Sequence, residues 1–217
     1  KYMWQHLATT VSGHNKNQTI NIYNGCGRNG KSKLAELMAK ILGEYAGSIS
    51  ASLITSKRSS VGQATPELAQ IRGARFVLMS EPSKGDKIND GYLKELTGGD
   101  PITARPLYGE AVTFIPKFKL VLCTNTLLDI KSDDDGTWRR IRLCDFESKF
   151  VRIPAPCEES PYEYLIDEGI NSKFDKWKNI MSSILIDKYI QTDGIVEDCQ
   201  RVNNASNKYR NEQDYLS

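Results

Sequence analysis

The stretch GCGRNGKS, residues 25–32, decides the fold. It fits the template G-x-x-x-x-G-K-[ST], three glycines followed by a lysine and a serine. Ile20, Ile22 and Tyr23 form a short β-prone run before it, and apolar residues after it recur at helical spacing as far as Gly43. Strand, loop and helix in this order are the context that a phosphate-binding loop requires, so we expect an α/β protein.

Glycines allow unusual backbone angles, so successive N–H groups of such a loop can converge on a phosphate at the start of a helix. Lys31 would neutralise the β- and γ-phosphates, and the Ser32 hydroxyl would bind Mg²⁺. The alternative is a glycine turn that matches by chance. The residues predicted to bind nucleotide are Gly25, Cys26, Gly27, Arg28, Asn29, Gly30, Lys31 and Ser32.

Composition narrows the class of protein. The chain has 217 residues, of which 39% are hydrophobic and 26% charged, as expected of a soluble globular protein with one main core. It contains no apolar run near the roughly 18 residues of a membrane span, so we expect no membrane partner. Five cysteines without CxxC spacing and two histidines argue against a disulfide framework or a zinc site. The net charge of +2 permits nucleic acid as a partner without indicating it.

Polar residues follow two predicted buried strands. Phe76–Met79 is a continuous apolar run, and Glu81 follows it at the edge of the sheet where α/β folds bind ligands. Ser80 stands where such motifs usually carry an aspartate, so Glu81 would serve both the metal and the attacking water. The second strand, residues 118–124, ends in Asn125, which could hold that water or sense the γ-phosphate. An ordinary loop glutamate and a turn-forming asparagine are the alternatives.

An arginine cluster follows an acidic turn in KSDDDGTWRRIRLCDF. Strand alternation would place Arg140 and Arg142 on one face and Arg139 on the other. Phosphoryl transfer benefits from an arginine supplied in trans, although surface charge would explain the cluster equally well.

A hairpin is predicted between the two polar strand ends. Asn89 caps a short helix that carries Lys94, and residues 102–108 and 111–115 can pair about Gly109. Such an insertion projects side chains away from the core, unless it is a plain edge hairpin.

The ends of the chain are less informative. Residues 1–14 look like the end of a preceding helical segment, and three prolines mark an extended connection near residue 154. A packing helix is expected over residues 174–190, followed by a polar helical lead to a further domain. The predicted organisation is therefore 1–14, a core over 15–153, and a helical extension over 154–217. Because the first residue is lysine, we expect an excised piece of a longer protein.

Five motifs occur in a fixed order: GCGRNGKS, RFVLMSEPSKG, LKELTGGDPITARPLYGE, FKLVLCTN and DGTWRRIRLCDF. This order resembles the superfamily 3 DNA helicases, and especially the poxvirus-type primase-helicases of nucleocytoplasmic large DNA viruses and their phage and plasmid relatives. The resemblance implies a P-loop NTPase of AAA+ type, with a central parallel sheet flanked by helices, a β-hairpin insertion and a C-terminal helical extension.

The resemblance also implies roles for individual residues. Lys31 would bind ATP phosphate, Ser32 and Glu81 would hold Mg²⁺, and Glu81 would be the Walker B acid. Asn125 would be the first sensor. The arginine finger would be Arg140, or else Arg139. Lys94 and Arg105 are the candidates for contacting DNA, although the hairpin lacks the lysine-histidine pair of better-known viral relatives.

The expected function is that of an ATPase and DNA helicase core, which hydrolyses ATP at the interfaces of a homo-hexameric ring and moves along single-stranded and forked DNA during viral or phage genome replication. A primase domain would lie elsewhere in the full-length chain. The expected location is intracellular and, for a virus, the cytoplasmic replication sites of the host cell. The alternatives are a DNA-dependent ATPase or loader without unwinding activity, a kinase or GTPase that shares the P-loop, and a noncatalytic replication scaffold.

Overall fold

The structure is a computed structural model that describes residues 1–56, 63–83, 85–130, 134–158 and 160–214. The strands of these residues are β1 (Ile20–Asn24), β2 (Ala46–Ile49), β3 (Phe76–Met79), β4 (Ile102–Ala104), β5 (Val112–Phe114), β6 (Lys119–Thr124), β7 (Ile141–Asp145), β8 (Lys149–Val151) and β9 (Glu163–Leu165). The α-helices are α1 (Tyr2–Ala8), α2 (Lys31–Leu42), α3 (Ser52–Thr55), α4 (Pro66–Gln70), α5 (Asp90–Thr97), α6 (Asp135–Trp138), α7 (Ile170–Thr192) and α8 (Gln200–Asp214). None of the described helices is long and apolar enough to cross a membrane.

A five-stranded sheet forms the centre of the molecule, in the order β2-β3-β6-β1-β7. Every neighbouring pair in it is parallel, so all five strands end at the same edge. We call this edge the carboxyl edge of the sheet, and the opposite one the amino edge. The predicted central parallel sheet flanked by helices is thereby confirmed.

Side chains alternate between the two faces of this sheet. On β6, Leu120 and Leu122 belong to one buried cluster, whereas Val121 belongs to a second cluster on the opposite face. Because both faces are covered, β1 and β6 consist almost entirely of buried residues. This explains why the sequence of β6 shows a continuous apolar run, residues 120–123, instead of an alternation with polar residues.

Helices from both ends of the chain complete the layers. α7 packs against α1 and α2, and α8 packs along the edge strand β7. Tyr209 of α8 is buried in the same cluster as the sheet residues, and its hydroxyl donates to the Leu128 carbonyl. The Ser206 hydroxyl accepts a hydrogen bond of 3.0 Å from the backbone N–H of Leu143 on β7. The polar tail predicted as a lead to another domain is therefore packed on the sheet.

α7 differs from the packing helix predicted at this position. Phe174 and Leu185 are buried, but Trp177, Ile180 and Ile184 are exposed. Only one face of α7 packs against α1 and α2. The apolar residues of α7 are distributed around more of the helix than this face, so the remaining ones lie at the surface.

Two small strand pairs lie outside the main sheet. β4 and β5 form the predicted antiparallel hairpin, in which Thr103 faces Thr113. Its strands are shorter than the sequence indicated, and the connecting loop, residues 105–111, includes Tyr108, which is fully exposed. β8 and β9 form a parallel pair that the sequence analysis did not predict.

Lys119 fastens the amino edge of the sheet. This lysine is buried at the start of β6, and its Nζ donates to the carbonyls of Ser12, His14 and Lys117 at 2.9, 2.8 and 3.1 Å. All three donors of its ammonium group therefore have backbone acceptors. The segment that leads from α1 to β1 is held to the sheet in this way.

Candidate nucleotide-binding site

The loop between β1 and α2 has the backbone conformation that its glycines permit. Gly30 caps α2 with a φ of 86°, in the left-handed region. At Gly25 the φ is 152°, and a Cβ there would lie 2.3 Å from Asn29 Nδ2 and 2.7 Å from the Phe146 carbonyl oxygen. A side chain at either position would disturb the loop. The helix then begins directly at Lys31, so its unpaired N–H groups point toward the loop.

The Lys31 side chain lies across the opening of this loop. Its side chain is buried, and Nζ donates to the Gly25 carbonyl at 2.5 Å and to Asn125 Oδ1 at 3.1 Å. Burial lowers the pKa of the Lys31 ammonium, while Glu81 acts in the opposite direction. Both hydrogen-bond acceptors are neutral oxygens, so no direct ion pair within the described residues neutralises the positive charge of Lys31.

Glu81 and Asn125 meet at the carboxyl edge. Glu81 follows β3, and its Oε1 accepts a hydrogen bond of 3.1 Å from the backbone N–H of Asn125. Asn125 follows β6, the strand between β3 and β1. Through Asn125, the Glu81 carboxylate is thus connected to Lys31 within one continuous hydrogen-bonded chain.

These residues line a cleft of about 390 Å³, which extends from the loop to the ends of β3 and β6. The exposed Ser32 hydroxyl and the Glu81 carboxylate both belong to its lining. Hard oxygen donors of this kind suit Mg²⁺, which usually takes one or two protein ligands beside phosphate and water. In the described residues, no group of three or more histidine, cysteine, aspartate or glutamate side chains could hold a metal by itself. The donor set therefore fits a metal that arrives with phosphates.

The two candidate finger arginines lie at the other edge of the sheet. The Arg140 carbonyl accepts from the backbone N–H of Ile20 at 2.9 Å, where β1 begins, whereas the phosphate loop starts where β1 ends. Five strand residues span about 17 Å. Neither Arg139 nor Arg140 lines the cleft of its own chain.

The prediction that strand alternation orients these arginines was wrong. β7 begins only at Ile141, and Arg139 and Arg140 belong to the turn that follows α6. Arg140 Nη1 donates to the Gly136 carbonyl at 2.5 Å, and its Nε is buried without a partner in the described structure. Arg139 is exposed. Burial lowers the pKa of Arg140, and the charge of Arg139 adds to this effect.

The two candidate DNA contacts are separate from the cleft. Lys94 on α5 forms an ion pair of 2.6 Å with Asp134, the N-cap residue of α6, and this contact lowers the pKa of Asp134 to about 2. Arg105 is exposed beside the hairpin loop, where its Nε donates to the Gly109 carbonyl at 3.3 Å. The structure brings Lys31, Glu81 and Asn125 together and leaves Lys94 and Arg105 outside.

The sequence analysis did not predict the apolar surface around Phe150, which flanks the phosphate loop. The Phe150 N–H on β8 donates to the Arg28 carbonyl at 2.8 Å, and the Phe150 ring lies 3.4 Å from where a Gly30 Cβ would stand. Phe150 lies four residues after the last of the five motifs, which ends at Phe146. In the sequence, the aromatic and apolar residues around Phe150 could have indicated this surface.

A family model matches residues 23–140, more than half of the chain. Its description is "Family of unknown function (DUF5906)". The chain belongs to this family. The matched part runs from the end of β1 to Arg140 and thus includes Lys31, Glu81 and Asn125.

Viral proteins are similar to most of the chain. "Putative helicase L207/L206" of Acanthamoeba polyphaga mimivirus is 41% identical over 197 residues, which are 88% of this chain and 20% of that protein. "Putative helicase 022R" of Frog virus 3 is 36% identical over 81% of this chain and 19% of its own length. "Putative primase C962R" of African swine fever virus is 29% identical over 78% of this chain and 18% of its own length.

These relatives confirm the resemblance to the primase-helicases of large DNA viruses that the ordered motifs indicated. The chain spans about a fifth of the length of the curated relatives it matches.

Solved structures share the fold. An apo structure of the NrS-1 C-terminal region superposes with a TM-score of 0.64 at 16% identity, over 94% of this chain and 45% of that one. A second apo structure, of residues 305–718 of the same region, gives a TM-score of 0.63 at 14% identity over 95% of this chain and 46% of that one. At these identities the likeness concerns the fold.

Proposed function

We propose that this chain is the ATP-hydrolysing core of a replicative DNA helicase. The names of the viral relatives support a role in replication, as helicase or primase. ATP is the proposed substrate and Mg²⁺ the proposed metal. The work would take place at intracellular replication sites, in a longer protein that carries a primase domain elsewhere.

One observation carries the proposal. Three residues from three chain segments, Lys31, Asn125 and Glu81, are joined by hydrogen bonds of 3.1 Å at the carboxyl edge of the sheet. A lysine for the phosphates, a polar side chain near the terminal phosphate and an acid for the attacking water are what triphosphate hydrolysis needs. Positioned together at a glycine loop, they favour an NTPase over a structural scaffold.

Each residue would act by charge and orientation. Lys31, already directed across the loop, would bind phosphate oxygens through its ammonium and stabilise the charge that develops during transfer. Glu81 would orient the attacking water and accept its proton. The amide of Asn125 would change partners between Lys31 and the substrate. Mg²⁺, when bound beside Ser32 and Glu81, supplies further neutralisation of the phosphate charge.

The position of Arg140 supports a ring. This residue is about a strand's length from its own cleft, so an Arg140 that acts in hydrolysis must serve a neighbouring subunit. A head-to-tail interface repeated around an axis closes into a ring, here proposed as a homo-hexamer of AAA+ type. Single-stranded or forked DNA would pass through it. The exposed hairpin loop, with Arg105 nearby, would contact the strand, and Lys94 would do so after releasing Asp134.

The test is ATP hydrolysis by the chain at increasing protein concentration, with and without single-stranded DNA, alongside mass photometry. We expect the specific activity to rise steeply as hexamers appear, and to rise further with DNA. Activity that is independent of concentration and of DNA would contradict the ring motor. Activity that DNA stimulates without strand separation on a forked substrate would favour a DNA-dependent ATPase or loader.

A further inference from the structure

A second concave surface lies beside the phosphate loop. It is a groove of about 730 Å³, bounded by α2, by β8 and β9, and by the start of α7. We call it the β8–α7 groove. Its apolar lining includes Leu34, Phe150, Leu165, Ile166, Phe174 and Trp177. Leu165 is 66% exposed and Trp177 39%, so large apolar side chains face solvent at this place.

The groove is continuous with the cleft that holds Lys31. Arg28, Asn29, Gly30 and Lys33 line both of them. Glu81 and Asn125 line only the cleft, whereas Phe150 and Leu165 line only the groove. The phosphate loop therefore separates a polar end, where an acid and an amide converge, from an apolar end.

We propose that the β8–α7 groove receives the base and sugar of the nucleoside triphosphate whose phosphates bind at the loop. This inference rests on the proposed function. A nucleoside triphosphate has the same division, with charged phosphates at one end and a flat, weakly polar ring at the other. Bound in this direction, its terminal phosphate faces Glu81 and Asn125, and its base contacts Phe150 and Leu165.

The charges at the rim of the groove are compatible with this occupant. Asp167 is paired with Lys173 at 2.5 Å, and Glu168 with Arg152 at 3.1 Å. These carboxylates are thus compensated by cations and do not add an unpaired negative charge beside a triphosphate. Lys33 lies between the groove and the cleft, and its Nζ donates to Asn171 Oδ1 at 2.7 Å.

Aromatic contact is the expected source of affinity. A base in contact with Phe150 and Trp177 would bury flat apolar area, and such contacts contribute through area and ring geometry. The backbone N–H of Phe150 donates to the Arg28 carbonyl, so this side of the groove is attached to the phosphate loop. Occupation of the groove would therefore help to fix the loop in its binding conformation.

The experiment compares two ligands. ATP has a base, whereas inorganic tripolyphosphate has the phosphates alone. The affinity of the chain for each is measured with Mg²⁺ by calorimetry, for the wild type, Leu165→Ser and Trp177→Ala. The matched control is Ile153→Ser, since Ile153 is 84% exposed and lies outside the groove.

We expect Leu165→Ser to weaken ATP binding about fivefold, because about 40 Å² of apolar contact is lost. Trp177→Ala should weaken it at least as much. Tripolyphosphate affinity should be unchanged in both variants, and Ile153→Ser should leave both affinities unchanged. Equal effects on both ligands, or unchanged ATP affinity, would overturn the assignment of the groove.

Two further outcomes separate this inference from the proposed function. A wild-type chain that binds neither ligand would overturn the nucleotide site itself, and the groove assignment with it. A wild-type chain that binds tripolyphosphate as tightly as ATP would overturn only the groove assignment. If Leu165→Ser changed the oligomeric state while ATP affinity stayed constant, a second copy of the chain would be the occupant instead.

Discussion

Two buried lysines lie at opposite edges of the same sheet, and their surroundings differ. Lys119 at the amino edge has three backbone carbonyls for its three donors. Lys31 at the carboxyl edge has two acceptors among the described residues, one of them the side chain of Asn125. A fully satisfied ammonium is a structural link, whereas one with remaining capacity beside a cleft can bind an anion. Burial alone does not tell these roles apart.

The largest effect is expected at Lys31. Lys31→Met should abolish measurable ATP turnover, because the phosphates lose the cation that faces them. The free energy of unfolding should change by less than about 1 kcal/mol, since removing a desolvated charge offsets the lost hydrogen bonds. Turnover assays and urea unfolding check the two halves. Normal turnover in the variant would show that Lys31 is as structural as Lys119.

Substitution of Arg140 tests whether a residue at the amino edge of the sheet can also take part in ATP turnover. In Arg140→Ala we expect ATP binding to be retained and turnover to fall by about 10³-fold, the usual effect of losing a finger arginine. Arg139→Ala, at an exposed neighbour, is the matched control and should have little effect.

Mixing two inactive variants shows whether the Arg140 guanidinium acts in the cleft of a neighbouring subunit. Subunits that carry Arg140→Ala, mixed with Glu81→Gln subunits, can form interfaces in which one chain supplies the acid and the other the arginine. Partial recovery of turnover in the mixture is the expected result. If Arg139→Ala lost turnover and Arg140→Ala kept it, the assignment of the finger would pass to Arg139.

The smallest effect on activity, and the clearest on stability, is expected at Lys119. Lys119→Met should lower the free energy of unfolding by about 3 kcal/mol, because three backbone carbonyls lose a charged donor. Turnover per folded molecule should be unchanged, since this residue is far from the cleft. A variant as stable as the wild type would contradict the anchoring role.

The pH dependence of the free energy of unfolding provides a second test of the role of Lys119. Burial lowers the pKa of Lys119 from 10.5 to about 7, and the charge of Arg75 contributes. Between these values the unfolded chain binds more protons than the folded one, so this residue makes stability rise with pH, at up to about 1.4 kcal/mol per pH unit. The Lys119→Met variant should lack this contribution. Unfolding curves at pH 7, 8 and 9 measure the difference in slope.

The sequence predicted the elements of the site because local chemistry determines them. The glycine loop, the apolar strands that end before Glu81 and Asn125, and the Asn89 cap were all found at the expected positions. The contact between Asn125 and Lys31 depends on β6 lying next to β1, which is a matter of strand order. No local pattern in a single chain specifies that order.

Other features escaped prediction for physical reasons of their own. α8 is polar along most of its length, and a few residues attach it to the sheet, such as Ser206, which is hydrogen-bonded to β7, and Tyr209, which is buried in the core cluster. The arginines after α6 were misplaced because the turn continues to Arg140, whereas alternation applies only once a strand has begun. The β8–α7 groove joins residues more than a hundred positions apart, so spacing in the sequence could not reveal it.

The pairing of β1 with β7 has a mechanical consequence. Ile20 is bonded to Arg140 at one end of β1, and the phosphate loop continues from the other end. A hydrogen-bonded β-strand is stiff along its axis, so a displacement of one end also displaces the other end. If the proposed ring forms, β1 would thus be a stiff link about 17 Å long between the proposed nucleotide site of a subunit and the arginine that it offers to its neighbour.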